Sequence, residues 1–91
     1  MSENEPDAFE VRLRSKRVQR ELGSLLKADY ERVITNLHNL AGDPRPRGCE
    51  KLHDDIYRIR VGNIRVVYLI DRENRRIEIG AIRRRTERTY R

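Results

Sequence analysis

The sequence predicts an α+β fold in the order β-α-α-β-β-β, an antiparallel sheet with an N-terminal α-hairpin packed on one face. Apolar residues alternate over residues 8–13, recur at helical spacing from Val18 to Ala41, and alternate again from Tyr57 onward. Gly62-Asn63 joins two of the alternating runs and suits a primed two-residue hairpin turn. At 91 residues the chain is long enough for one modest core. An antiparallel sheet of that size buries one face under its helices and leaves the other in water.

The elements follow in order. Met1 to Asp7 carries acids, an asparagine and a proline, and is expected to be a disordered leader before a single domain over 8–91. Ala8 to Leu13 puts Phe9, Val11 and Leu13 on one side and Glu10, Arg12 and the following Arg14 on the other, a first strand. Ser15 is placed to cap a helix with Val18, Leu22, Leu25 and Leu26 on its apolar stripe. After a break near Lys27 to Asp29, Tyr30, Val33, Ile34, Leu37, Leu40 and Ala41 continue the stripe in a second helix. Gly42-Asp43-Pro44-Arg45-Pro46-Arg47-Gly48 ends it, because its prolines and glycines cannot continue a helix. A polar connection through Lys51-Leu52-His53-Asp54-Asp55 leads to the second strand at Tyr57, the third runs from Ile64 to Ile70, and the fourth from Arg76 to Ile82. An arginine-rich tail, residues 83–91, closes the chain.

The hairpin register follows from the turn. With Val61 opposite Ile64, Ile59 faces Val66 and Tyr57 faces Tyr68 on one side, while Arg60 faces Arg65 and Arg58 faces Val67 on the other. Like charges opposed across a ladder cost stability, so folding gives no reason to place arginines there. An anion visiting this face supplies one, and phosphate is the candidate.

Charge is divided unevenly. Residues 1–55 hold 10 Lys/Arg against 11 Asp/Glu, whereas residues 56–91 hold 11 against 4, and all of those later cations are arginine. The planar guanidinium fork matches phosphate oxygens and stacks on bases, which points to nucleic acid more than to a membrane surface. The lone Cys49 excludes an internal disulfide and a cysteine-based zinc site. The adjacent carboxylates of Asp54-Asp55 diverge and have no third ligand at metal spacing, so they suit a turn, and no cofactor or metal is expected. With no apolar run of spanning length and an acidic start unlike a secretory signal, a cytoplasmic location is expected.

Several features together resemble the RelE/ParE toxin superfamily, closest to its RelE branch. They are the element order, the Asp43-Pro44-Arg45-Pro46 loop with Gly48, the Lys51-Leu52 step, Tyr57 to Gly62, Arg65-Val66-Val67-Tyr68, and the ending Arg83 to Arg91. The resemblance implies the RelE-like microbial ribonuclease fold and the toxin of a toxin-antitoxin pair: a ribosome-dependent, metal-independent endoribonuclease that cleaves messenger in the A site and inhibits translation. It implies an acidic RelB-like antitoxin forming a hetero-oligomer with the toxin. By position it assigns catalytic roles to Arg58, Arg60, Arg65, Arg84 and Tyr90, with Arg83 the alternative to Arg84 if the tail slips by one. RNA contacts fall to Lys51, Arg83, Arg85 and Arg88.

Metal-free RNA cleavage needs a base for the 2′-hydroxyl proton, cations for the phosphoryl oxygens and an acid for the departing 5′-oxygen. Arginines supply the second, and Tyr90 suits stacking on a base or lying over the core. The resemblance places the base at Arg60, where the RelE type has lysine. Arginine releases its proton far less readily, which leaves Lys51, His53 or solvent as alternatives. The same fold also serves ParE-type toxins, which inhibit gyrase without catalysis, and a catalytically weakened RNA-binding relative is the third reading.

Overall fold

The computed structural model describes residues 8–84. The expected leader, residues 1–7, and the tail residues Arg85, Arg88 and Tyr90 lie outside the described residues. The elements are β1 (Glu10–Leu13), α1 (Lys16–Gly23), α2 (Lys27–Gly42), β2 (Glu50–His53), β3 (Ile56–Val61), β4 (Ile64–Asp71) and β5 (Arg76–Arg84). The sheet has five strands in the order β1-β5-β4-β3-β2.

Two features of the sheet differ from the sequence reading. It is mixed, because β1 runs parallel to β5, with Val11 opposite Ile77 and Leu13 opposite Ile79. It also has an extra edge strand, β2, in what was expected to be a polar connection. All of Glu50 to His53 is exposed, and Leu52 is the irregularity in its pairing with β3, so no buried alternation announces it. Asp54 and Asp55 make the turn into β3, with Asp54 in the left-handed region that Asp tolerates.

The α-hairpin covers one face of the sheet. Ser15 caps α1 by accepting a hydrogen bond from the Val18 N–H at 3.3 Å. Helix α1 stops at Gly23, where the Ser24 N–H donates to the Arg20 carbonyl and its hydroxyl to that of Glu21. The break therefore falls at Ser24–Leu26 rather than near Lys27 to Asp29, and Leu26 is 66 % exposed instead of contributing to the core. Val18 and Leu22 from α1 and Val33, Leu37 and Leu40 from α2 pack on Tyr57, Ile59, Val61, Ile64, Val66, Tyr68, Ile70, Ile77, Ile79 and Ile82. Burying a side chain of this kind stabilises by roughly 1.5–3 kcal/mol.

Tyr68 anchors the proline-rich loop to this core. Its hydroxyl donates to the Pro44 carbonyl at 2.6 Å, and its ring stacks on Tyr57 at 6.0 Å. Burial, and then the neighbouring Cys49 thiol, push its ionisation well above that of an ordinary phenol.

The β3–β4 hairpin has the register expected from its turn, Val61 opposite Ile64 through Tyr57 opposite Tyr68. Gly62 adopts φ +62° and Asn63 does not enter the positive region, the pattern of a II′ turn. At the next turn, Asp71 accepts hydrogen bonds from the Asn74 amide side chain and backbone N–H, which hold its carboxyl below the usual range.

The phase of β5 changes at Gly80. Tyr68 pairs with Ile79 but Val67 pairs with Ala81, leaving Gly80 as an extra residue. Ile77 and Ile79 point into the core before it, and Ile82 does so after it.

Candidate functional site

The sheet face opposite the helices carries Arg58 and Arg60 from β3, Arg65 and Val67 from β4, and Ala81 and Arg83 from β5. The ladder pairs Arg60 with Arg65 and Arg65 with Arg83, so three arginines form one row across adjacent strands. With ~4.8 Å between strands, the row spans roughly 10 Å of backbone, near the reach of guanidinium groups that converge on one phosphodiester. Among the described residues, no carboxylate pairs with Arg60 or Arg65. Both are exposed.

Two shallow depressions adjoin the row and share Arg58 and Arg65. One, of about 280 Å³, is lined by Gly48, Glu50, Arg58, Arg60 and Arg65. The other, of about 380 Å³, has Val67, Leu69 and Ala81 as its floor, with Arg14, Arg58, Arg65 and Arg83 and a single carboxylate, Glu78, around it. A basic rim over an apolar floor suits a nucleotide, whose phosphate is anionic and whose base is flat and apolar in its plane.

The candidate residues do not all meet there. Arg83 joins the row, but Arg84 faces the helices and lies 3.8 Å from Asp29 of α2. The bulge is the cause. Regular alternation from Ile77 and Ile79 would carry Arg84 to the open face and Arg83 inward, and the extra residue at Gly80 reverses that. Lys51 pairs with Tyr57, on the helix side of the sheet, and so is separated from the arginine face. His53 pairs with Ile56, four residues along β3 from Arg60, which is roughly 13 Å of strand. Neither alternative base stands at the row.

Two residues at the site were not assigned to it from the sequence. Glu50 stands opposite Arg58 and its carboxylate accepts a hydrogen bond from that guanidinium, as the one carboxylate lining the smaller depression. It belongs to the unforeseen strand β2, so nothing in the sequence joined it to Arg58. Arg14 follows β1 and reaches over Gly80, close enough that a Cβ there would meet its guanidinium at 3.9 Å. The parallel pairing of β1 brings it to this face. Among the described residues, no group of histidine, cysteine or carboxylate side chains is arranged to hold a metal ion. No helix in this part of the chain is long and apolar enough to cross a membrane.

The model for the ParE toxin of type II toxin-antitoxin systems, parDE, matches residues 11–89. The chain belongs to this family. It is a toxin of the RelE/ParE type from a toxin-antitoxin system. The fold is that of the RelE toxins: a RelE-RelB complex from Pyrococcus horikoshii OT3 matches with a TM-score of 0.75 at 28% identity, over 89% of this chain and 99% of that one. The isolated Escherichia coli RelE toxin matches with a TM-score of 0.77 at 19% identity, over 89% of this chain and 88% of that one. The RelBE2 complex of Mycobacterium tuberculosis gives 0.75 at 23%, over 88% and 94%. No curated protein shows a significant match.

Proposed function

We propose that this toxin is a metal-independent endoribonuclease of the RelE kind, which cuts messenger in the ribosomal A site and so inhibits translation. The observation that carries the reading is the Arg60–Arg65–Arg83 row on an uncovered sheet face. Such a row destabilises the folded protein through like-charge repulsion and becomes favourable once a phosphate lies across it. As charge builds on the phosphoryl oxygens in the transition state, preorganised guanidinium donors stabilise it without reorganising.

Arg60 is a poor proton acceptor, and the geometry offers a replacement. Glu50 lines the same depression as Arg60 and Arg65, is held in place by Arg58, and can take the 2′-hydroxyl proton as the 2′-oxygen bonds to the adjacent phosphorus, while the P–O5′ bond breaks and the departing 5′-oxygen takes a proton from water. Arg58 then orients the base while the row holds the phosphate. Arg14, Val67 and Ala81 extend the surface for the neighbouring nucleotide. Tyr90, Arg85 and Arg88 remain candidates for base stacking and RNA contact.

The partner is a cognate acidic antitoxin of the RelB kind, which silences the toxin in a hetero-oligomer. Structural neighbours include toxin-antitoxin complexes, and the positive face suits an acidic segment that folds on binding. The second reading is a ParE-type gyrase inhibitor, favoured by the family model that matches. Purified toxin added separately to programmed ribosomes and to a gyrase supercoiling reaction tests the choice. Cleaved messenger with unaffected supercoiling supports the nuclease; intact messenger with blocked supercoiling replaces it with the gyrase reading.

A further inference from the structure

Helix α1, on the far side of the sheet from the open groove, sends one carboxylate to the end of β5. Glu21 accepts a hydrogen bond from the Ile82 backbone N–H at 2.9 Å through one oxygen, and its other oxygen lies 3.3 Å from Arg83 Nε and 3.5 Å from Arg17 Nε. Its side chain is only 19% exposed. Strand β1 stops pairing with β5 at Ile79, so the edge of β5 beyond the Gly80 bulge has lost its neighbour. Glu21 occupies the place where a next strand would have accepted the Ile82 N–H.

We propose that Glu21 is a positioning residue for Arg83, holding the end of β5 through Ile82 and the Arg83 side chain through Nε, so that the Nη pair is presented to the phosphate beside Arg65. This rests on the nuclease reading above and deepens it. A guanidinium gripped at Nε still offers both Nη groups as a fork, whereas one gripped at the fork would be spent. The anchor matters here because Arg83 lies at the end of a strand, after a bulge, with a long side chain that is 56% exposed and otherwise free to sample many rotamers. Arg65, paired on both sides in the middle of the sheet, needs no such aid.

The test uses the full chain and programmed ribosomes, with single-turnover cleavage as one readout and the NMR signal of the Arg83 Nε–Hε group as another. Glu21→Gln keeps an oxygen for the Ile82 N–H and removes the charge that holds Arg83. It should slow cleavage about tenfold with the half-saturating ribosome concentration changed less than twofold, and move the Arg83 Hε signal toward that of a solvated arginine. In Arg83→Ala the same change should have no further effect, and Arg17→Ala should leave the rate within about twofold. An unchanged Hε signal in Glu21→Gln, or losses that multiply with those of Arg83→Ala, would overturn the proposal. Wild-type toxin that binds RNA without cutting it ends the nuclease reading instead. The same cycle measured on RNA affinity then decides Glu21, with multiplying losses again counting against it.

Discussion

Arg83 lies opposite Arg65 across the β4–β5 ladder because Gly80 is one residue more than regular pairing requires. The relationship is backbone geometry converted into chemistry. A single bulge chooses which of two adjacent arginines faces the open groove and which faces the helices.

Arg65 is the centre of the row, so its removal should separate function from stability. Arg65→Ala is expected to lower cleavage by about 10²–10³-fold, the usual loss for one preorganised donor at developing charge. Because it relieves repulsion from both neighbours, the variant should be as stable as wild type or more so by a few tenths of a kcal/mol at low salt. Thermal unfolding at two salt concentrations, alongside the cleavage rate, checks both halves.

Arg84→Ala should behave differently from Arg83→Ala. The first loses only a distant contact with Asp29 on the helix side and keeps cleavage near wild type. The second loses a member of the row, and its cleavage rate should fall by at least about tenfold. Measured side by side, equal losses would show that the bulge does not set the site.

Glu50→Gln leaves an oxygen for Arg58 but cannot take a proton. Cleavage should drop about 10²-fold or more while RNA binding holds or tightens, since a negative charge has left a phosphate site. Retained cleavage would return the proton to solvent as its acceptor.

The core makes a prediction with a defined pH direction. Tyr68 ionises less readily folded than unfolded, so its contribution to stability is complete below about pH 10 and is lost as pH rises beyond that. Tyr68→Phe should cost about 1 kcal/mol near neutrality, because the half-buried Pro44 carbonyl loses its donor. It should also remove part of the alkaline loss, visible in denaturant titrations from pH 8 to 11.

Gly62 and Gly80 serve different ends. Gly62→Ala meets both a positive φ and the Arg32 guanidinium at 3.0 Å, and should cost about 1–2 kcal/mol. Gly80→Ala meets nothing closer than the Val67 carbonyl at 3.8 Å and should fold with a change under about 1 kcal/mol. Chemical denaturation of the two variants distinguishes them.

What could be read in the sequence was what local pattern controls. The Gly62-Asn63 turn set the β3–β4 register, and with it the faces of Arg58, Arg60 and Arg65. Long-range pairing was not legible. Nothing in Glu10–Leu13 announces a parallel partner 66 residues later, and so Arg14, read only as the polar side of a first strand, was not joined to the arginine face. The edge strand Glu50–His53 buries neither face and carried no alternation, which hid Glu50. The choice between Arg83 and Arg84 stayed open for a third reason: a bulge is a property of two strands together, and Gly80 alone does not reveal it.

The most direct measurement is primer extension on an abundant translated messenger after induced expression of the toxin in bacteria, with and without the messenger's ribosome-binding site. The expected result is cuts at in-frame codons that vanish when the ribosome-binding site is removed and when Arg65 is replaced by alanine. Growth arrest with intact messenger would contradict it.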